Sequence, residues 1–337
     1  MTIAYSDRPR FSPNIDRLAR NAHVLSIAGF FLLCCVVFTL SSDVFLTSGN
    51  LLNVLRQSAP LMMVAIAMTF VITSGGIDLS IGSMIALINA VTAIALHNGA
   101  PWPLVVGGAL MIGASLGLAQ GWFIAFQKIP SFIVTLAGLS ILRGVALLFT
   151  EGFSVPISNN ASFAVIGRGD FFGVPVPALL AMMTMIAGYV ILDRMKFGRH
   201  VTAVGVNPEA ARRAGIPVRL VTMSVYGMTG LTSAAAGIII ASRLSSGSSN
   251  AAVGFELDVI AAVVLGGTVL VGGRGTIIGT VLGALTIAII GNGLILVHIS
   301  AFFTQIVTGT IILSAIWLNS KVFSQMAVRY RGRSKTL

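Results

Sequence analysis

The chain alternates between long apolar runs and short polar breaks. Most runs have the length of about 20 residues that a helix needs to cross a hydrocarbon core, whereas the strands of a membrane barrel are shorter and alternate in polarity. The pattern therefore predicts an all-α polytopic membrane protein of about ten transmembrane helices. The predicted spans are 24–41, 54–73, 81–97, 103–126, 131–150, 175–192, 219–241, 257–271, 276–297 and 301–320.

Composition supports a membrane protein and narrows its partners. Hydrophobic residues make up 56% of the chain, charged residues only 9%, and the mean hydropathy is +0.96, whereas soluble proteins carry about 25% charged residues. A net charge of +11 could suggest nucleic acid. The basic residues instead cluster at one end of successive apolar runs, which the positive-inside rule explains, so we expect membrane lipids around the chain and no nucleic acid.

The basic residues also predict the orientation. With a cytoplasmic N-terminus, the inner side holds all of the 21 Lys and Arg residues except Arg56, Arg143, Arg168 and Arg243. An even number of spans places the C-terminus inside as well. We therefore expect a cytoplasmic arm at 1–23, a transmembrane domain at 24–320 and a basic cytoplasmic tail at 321–337. No small-residue cleavage site follows the first apolar run, which we interpret as an uncleaved span rather than a signal peptide.

Two predicted helices carry a small residue at every fourth position, a spacing that lets helix backbones approach closely in lipid. These glycines predict helix packing in a compact bundle, and they indicate no particular function. They are Gly113, Gly117 and Gly121 in the fourth span, and Gly275, Gly279 and Gly283 at the ninth.

Glycine-rich stretches interrupt the apolar pattern at TSGGIDLSIGS and at GGTVLVGGRGTIIG. Broken helices in corresponding parts of a membrane protein are typical of a transport pathway, and an Asp at membrane depth suggests function. The residues predicted to line a central pathway are Ser74, Gly75, Gly76, Asp78, Ser80, Gly267 and Thr268. The alternative is that Asp78 caps the third helix by accepting backbone N–H groups near Ser80 and Ile81.

The same two stretches match each other weakly. A shift of 193 residues superposes Gly82 on Gly275, Ser83 on Thr276 and Ile72 on Leu265. We interpret this match as a hint of a duplicated element.

The charged loop at 193–219 contains a short predicted helix. Asn207 suits its N-cap, Pro208 the first helical position and Gly215 the C-terminal cap, and Pro217 blocks continuation. The helix carries Glu209 in its first turn and Arg212 and Arg213 in its last turn, and its other faces carry Ala210, Ala211 and Ala214. It is either a partner-docking surface, which small side chains would let a partner approach, or a solvated connection between two spans.

The remaining polar residues show no catalytic or metal-binding pattern. Glu256 and Asp258 precede the eighth span, at what we expect to be its outer end, and suit docking of an outer partner or helix capping. The four His residues lack metal-ligand spacing. The sequence contains no G-x-x-x-x-G-K-[ST] motif, so we expect no catalytic residue, no metal and no cofactor in this chain.

Three stretches together resemble the permease subunit of ribose-type ATP-binding-cassette sugar importers. They are GGIDLSIGS at 75–83, GRHVTAVGVNPEAARRAGI at 198–216 and LGGTVLVGGRGTIIGTVLGAL at 265–285, and the similarity extends over roughly residues 50–320.

The resemblance implies a permease in a bacterial inner membrane that works with several partners. These would be cytoplasmic ATPase subunits that bind ATP and Mg²⁺, a periplasmic sugar-binding protein, and a second permease copy or paralogue. The loop helix would then be the coupling helix that contacts the ATPase. Its residues would be Asn207, Pro208, Glu209, Ala210, Ala211, Arg212, Arg213 and Gly215.

Two other classes of protein remain as alternatives. A stand-alone secondary transporter of a small polar solute would need ionisable residues within the membrane, and Asp78 is nearly the only candidate. A membrane-embedded hydrolase would need a nucleophile beside a base, and no His lies near Ser74, Ser80 or Ser83 in the sequence.

Overall fold

A computed structural model describes residues 13–157 and 161–300, together with 303, 306, 307, 309, 310, 313 and 314. Within these residues the chain is a bundle of helices with a few two-residue strands. Seven of the helices described are long and apolar enough to cross a membrane, and α3 is a shorter apolar helix. The protein is therefore an all-helical, multi-pass membrane protein. The predicted tenth span, 301–320, lies largely outside the described residues.

The elements follow one another from the N-terminal to the C-terminal end. The helices are α1 Pro13–Ser41, α2 Ser48–Thr73, α3 Ile81–His97, α4 Trp102–Phe126, α5 Ser131–Thr150, α6 Ala161–Arg168, α7 Val176–Tyr189, α8 Lys196–Val206, α9 Pro208–Arg213, α10 Val218–Leu244, α11 Phe255–Leu265 and α12 Ile277–Leu296. One turn of π-helix, Val190–Arg194, extends α7. The strands are β1 Val155–Pro156, β2 Asp170–Phe171, β3 Val174–Pro175 and β4 Ser246–Gly247.

Most predicted spans coincide with a helix, and the boundaries of α3 and α5 match the predicted ones. Helix α1 begins at Pro13, well before the predicted start at residue 24. The apolar run marks only the part of this helix that suits lipid. No glycine or proline lies between Pro13 and the apolar run, so the helix includes residues that were predicted to belong to the polar arm.

The bundle has a buried centre and an apolar exterior. Helices α2 and α3 are buried along most of their length, and the central part of α10 packs against both of them. Helices α1, α4, α5 and α7 expose large apolar side chains. Lipid is as apolar as these side chains, so the exterior helices can remain uniformly hydrophobic while small and weakly polar residues fill the centre.

The two glycine series pack helices together, as the sequence predicts. Helix α4 crosses α10 where Gly113, Gly117 and Gly121 lie against the backbone around Tyr226 and Gly230. A Cβ added at Gly117 would lie 3.0 Å from the Gly230 Cα and would collide with the Tyr226 carbonyl. This contact requires the absence of a side chain.

The second series joins the last helices in the same way. Gly279 faces the Gly266 carbonyl, and Gly283 faces the Ala262 carbonyl of α11. Gly275 lies against the side chain of Thr73.

The eighth predicted span, 257–271, is wrong as a continuous helix. Helix α11 has only 11 residues, about 16 Å, which is roughly half of a membrane crossing. The non-helical residues 246–254, here called the unwound segment, cover the other half alongside α3. Gly247 lies against Ala90 and Ala93, and the Ala252 carbonyl reaches Gly82.

Polar side chains hold the unwound segment and the neighbouring helices. Asn89 of α3 accepts a hydrogen bond from the Ser248 N–H at 2.7 Å through its Oδ1. Asn50 of α2 and Asn292 of α12 exchange two amide hydrogen bonds of 3.0 and 2.9 Å. Reciprocal amide bonds satisfy donors and acceptors on both sides, which stabilises the contact inside an apolar bundle.

We predict that Gly117→Leu destabilises the protein because its side chain must displace the α10 backbone. Overpacking of this kind costs about 1–3 kcal/mol, so the midpoint of thermal unfolding in detergent should fall. The matched control is Gly107→Leu on the same helix, where an added Cβ meets nothing within 4 Å. Equal unfolding midpoints for the two variants would contradict the packing described here.

Candidate functional site

The short helix α9 has the predicted N-terminal cap. The Asn207 Oδ1 accepts hydrogen bonds from the N–H groups of Glu209, at 3.0 Å, and Ala210, at 2.9 Å. Pro208 occupies the first helical position, where it loses no hydrogen bond. These local interactions define the start of the helix without help from tertiary packing.

The C-terminal end of α9 is a Schellman motif. Gly215 has a φ of +80° and donates its N–H to the Arg212 carbonyl, while the Ile216 N–H reaches the Ala211 carbonyl. A left-handed glycine just after the last turn is the usual way to satisfy these carbonyls. The predicted boundaries of the loop helix are therefore confirmed.

The exposed surface of α9 carries an ion-pair network. Arg212 donates two hydrogen bonds to the Glu209 carboxylate, and Arg213 donates a third at 3.2 Å. The hydrogen bonds from Arg212, followed by those from Arg213, lower the pKa of the Glu209 carboxyl. Both guanidinium groups still face solvent, so this surface can receive a partner.

The structure corrects the prediction for Ala211. It is only 5% exposed and belongs to the main apolar core, whereas Ala210 and Ala214 face outward. The helix lies on its own chain through α8 and α10, so one of its faces cannot be offered to a partner. Ala211 anchors the helix, and its exposed side is formed by Ala210, Ala214 and the two arginines.

Helix α8 links this exposed helix to the interrupted membrane segments. Near the end of α8, Gly205 lies against the Thr73 carbonyl. A Cβ added at Gly205 would be 2.5 Å from the Gly273 nitrogen. The Thr73 carbonyl also accepts a hydrogen bond from the Gly273 N–H at 2.8 Å. The end of α2, the end of α8 and the loop before α12 therefore meet through backbone atoms.

The two interrupted stretches begin with the same geometry. Helix α2 ends in a Schellman motif with Gly75 at a φ of +86°, and α11 ends in one with Gly267 at +90°. At the helix ends Gly75 therefore corresponds to Gly267, which is a shift of 192 residues. The shift of 193 residues that superposes Gly82 on Gly275 is one residue too large there. The loop 266–276 is also longer than the loop 74–80, and one constant shift therefore cannot fit both ends.

The loops 74–80 and 266–276 touch where Gly75, a predicted pathway residue, meets Gly272, which was not predicted. An added Cβ at Gly272 would lie 3.0 Å from the Gly75 backbone, and one added at Gly76 would collide with the Tyr226 hydroxyl. Thr268 instead accepts a hydrogen bond from the Thr276 N–H within its own loop. The meeting point is therefore formed by Gly75 and Gly272.

The carboxylate of Asp78 is buried and fully hydrogen-bonded. Its Oδ1 accepts from the Ser80 N–H at 2.9 Å and is 2.7 Å from the Ser80 Oγ. Its Oδ2 accepts from the Thr229 hydroxyl at 2.7 Å. The Ser80 hydroxyl also lies 2.9 Å from the Gln120 Oε1. Asp78 thus joins the start of α3 to the middle of α10.

Two of these partners could not have been found from local sequence. Thr229 and Gln120 lie far from Asp78 along the chain, on helices whose apolar pattern gives no reason to select one hydroxyl or amide. Of the two predicted capping contacts of Asp78, the structure shows the one with the Ser80 N–H. Side-chain hydroxyls take the place that was predicted for the Ile81 N–H. Ser74 donates to the Val71 carbonyl at 2.8 Å and completes the turn at the end of α2.

Glu256 and Asp258 do not lie at the same end of the bundle as the loop after α5, although both were predicted to be on the outer side. Glu256 lies in the first turn of α11, and its carboxylate contacts Gly82 near the start of α3. The β1–β4 pair and His97 mark the opposite end of α3. The unwound segment carries the chain along α3, away from the β1–β4 pair, before α11 begins. The prediction of one continuous helix did not allow for this.

An arginine to which the sequence assigns no role holds this part of the chain in place. Arg143 in the middle of α5 donates hydrogen bonds to the carbonyls of Ser249 and Ala251, the latter at 2.9 Å. Its only sequence signal was a single basic residue inside an apolar run. Among the described residues, no group of three His, Cys, Asp or Glu side chains is placed to hold a metal ion.

Comparison with known proteins gives consistent matches over most of the chain. A family described as branched-chain amino acid transport system / permease component matches residues 50–316. The ribose import permease protein of Bacillus subtilis (strain 168) is 42% identical over 294 residues, covering 87% of this chain and 91% of the relative. No solved structure matches significantly.

Two relatives from Escherichia coli (strain K12) extend the comparison. Its ribose import permease protein is 39% identical and covers 88% of this chain and 93% of the relative. Its xylose transport system permease protein is 35% identical and covers 89% and 92%, respectively.

We predict that Asp78→Asn folds normally, whereas Asp78→Leu does not. Asparagine keeps an acceptor for Ser80, and Thr229 retains the Tyr226 carbonyl as an alternative acceptor at 2.9 Å. Leucine leaves buried donors unpaired, at a cost of about 1–3 kcal/mol. The yield of monodisperse protein and its unfolding midpoint in detergent would check this. Equal loss of folded protein in both variants would show that the negative charge itself is required.

Proposed function

Since the chain belongs to this family of transport-system permease components, we propose that it is the membrane-spanning subunit of an ATP-driven sugar importer. The subunit passes a pentose, hexose or related polyol, received from a periplasmic binding protein, across a bacterial inner membrane. The family description names amino acids, but relatives named for ribose and xylose cover nearly the whole chain, and this favours a sugar.

The energy comes from separate subunits. The chain has no phosphate-binding loop of the Walker type, so ATP and Mg²⁺ bind to a cytoplasmic ATPase partner, and this chain is not itself an enzyme. A second copy of the permease, or a paralogue, completes the membrane part. Ten spans with both termini in the cytoplasm belong to the same proposal.

Helix α9 is the contact with the ATPase. The observation that carries this role is its construction: a capped helix exposes one face, anchors the other through Ala211, and connects through Gly205 to both interrupted segments. Displacement of the helix by a partner is therefore transmitted to the backbone at Gly75 and Gly273. A merely solvated connection would not need this rigid attachment.

The substrate route runs beside the interrupted segments. Irregular backbone at membrane depth is tolerated only where protein or a water-filled cavity encloses it. The loops 74–80 and 266–276 meet at Gly75 and Gly272, so a movement that separates them opens a path. The candidate lining residues remain Ser74, Gly75, Gly76, Asp78, Ser80, Gly267 and Thr268.

The proposed orientation predicts which side of the membrane each loop faces. Tags inserted after residue 10, within 200–215 and after residue 330 should be cytoplasmic, and a tag near residue 160 should be external. Protease protection in right-side-out and inverted vesicles measures this. An external tag within 200–215 would overturn the orientation.

The coupling role predicts that Ala210→Trp blocks transport without unfolding the permease. The bulky ring would stand on the exposed face of α9 and hold the ATPase away, so ATP-driven ribose or xylose uptake should fall by about tenfold or more, the effect of about 1.4 kcal/mol of lost coupling. Uptake into proteoliposomes with the ATPase and binding protein measures the effect.

The matched control is Ala211→Trp on the buried face of the same helix. It should lower the yield of folded permease because the ring has no space in the core. Normal uptake and ATPase co-purification with Ala210→Trp would rule out the coupling role. Uptake that continues without any ATPase would favour the stand-alone secondary transporter instead.

A further inference from the structure

Arg143, Ser249 and Glu256 lie close together where the unwound segment turns into α11. Arg143 binds the Ser249 carbonyl, Glu256 lies against Gly82, and Ser83 follows Gly82 on α3. We call Ser83, Arg143, Ser249 and Glu256 the polar elbow. From the sequence, Glu256 was considered only for docking of an outer partner or helix capping, and Ser83 only as a nucleophile without a nearby base. Arg143 and Ser249 were assigned to no site.

The polar elbow lies at the start of α3. Gly82 is nearly the whole length of α3 away from His97, about 22 Å along the helix axis. Asp258, two residues further along α11, is exposed on the single chain. An ionisable side chain inside a membrane faces a partner or a water-filled cavity, so the exposed side of α11 is not a lipid surface.

Three atoms of the elbow have no hydrogen-bond partner among the described residues. They are the hydroxyl oxygens of Ser83 and Ser249 and the Oε2 of Glu256. The two serines are 1% and 0% exposed. Buried polar atoms are almost always paired, so a cluster of unpaired ones needs an explanation, and a ligand that supplies the missing bonds provides one.

The chemistry of the elbow favours a neutral ligand with several hydroxyl groups. The Glu256 carboxylate accepts hydrogen bonds, and each serine hydroxyl both donates and accepts. Arg143 interacts electrostatically with Glu256 and offsets its charge, which weakens binding of a cation, while Glu256 weakens binding of an anion. A sugar offers the matching donors and acceptors without a charge.

We propose that the polar elbow is a sugar-binding station within the membrane, at which Glu256, Ser249 and Ser83 bind substrate hydroxyls. The inference rests on the proposed function and adds a location and a set of residues to it. Arg143 is a positioning residue that fixes the unwound segment through the Ser249 and Ala251 carbonyls. In the described conformation the station is closed, and it opens when the unwound segment moves away from α3.

The first test compares two Glu→Gln variants in proteoliposomes that contain the permease, its ATPase and its binding protein. Glu256→Gln keeps the shape of the side chain but loses the charged acceptor, so ribose or xylose uptake should fall by about tenfold. The matched control, Glu151→Gln in the outer loop after α5, should transport like the unaltered protein. Equal uptake by both variants, with equal yields of folded protein, would overturn the station.

The second test is independent of the effect of Glu256 on folding. Ser249→Cys, in a background in which Cys34 and Cys35 are replaced by alanine, should react with a small water-soluble thiol reagent during ATP turnover. Ribose or xylose delivered by the binding protein should slow the reaction several-fold. A cysteine that stays inert in every nucleotide state, or one protected by sodium ions rather than by sugar, would overturn the proposal.

Uptake by the unaltered protein separates the two levels of inference. Sugar uptake together with an unaffected Glu256→Gln variant would refute the station alone. If the unaltered complex imports neither ribose nor xylose nor any other sugar of a pentose and hexose panel, the proposed function and the station both fail.

Discussion

The absence of water from the hydrocarbon core constrains this structure more than any other condition. Every interrupted stretch of backbone must find its hydrogen bonds within the protein. In the part of the chain that the structure describes, the stretches 74–80, 246–254 and 266–276 are of this kind, and all three pack against the buried helices α2, α3, α10 and α12. The exterior helices shield them from lipid. The layered arrangement of the bundle follows from the need to enclose these breaks.

Enclosure explains why the glycines and the weakly polar residues occur where they do. Close backbone approach at Gly117, Gly205 and Gly272 leaves no space for side chains. Threonine hydroxyls and amides supply the remaining bonds, as in the Thr229–Asp78 contact and the Asn50–Asn292 pair. Glycines and polar side chains of this kind therefore mark the inside of the bundle.

Local signals predicted much of the fold, and long-range contacts account for what they missed. The caps of α9 and the packing of the α4 glycines follow from residues a few positions apart, and both predictions were correct. The burial of Ala211, the unwound segment and the depth of Glu256 depend on where distant helices run. The length of an apolar run does not show whether the residues form one continuous helix or a half-helix preceded by an unwound segment.

Gly205 has a mechanical consequence for communication between the two ends of the molecule. Its contacts with Thr73 and Gly273 involve main-chain atoms alone, with no rotatable side-chain bond between them. Side chains at an interface usually absorb a small displacement by changing rotamer, and this joint has none to change. It is therefore a stiff linkage with little slack, in which a sub-ångström shift of α8 reaches two separate loops simultaneously and with nearly undiminished amplitude.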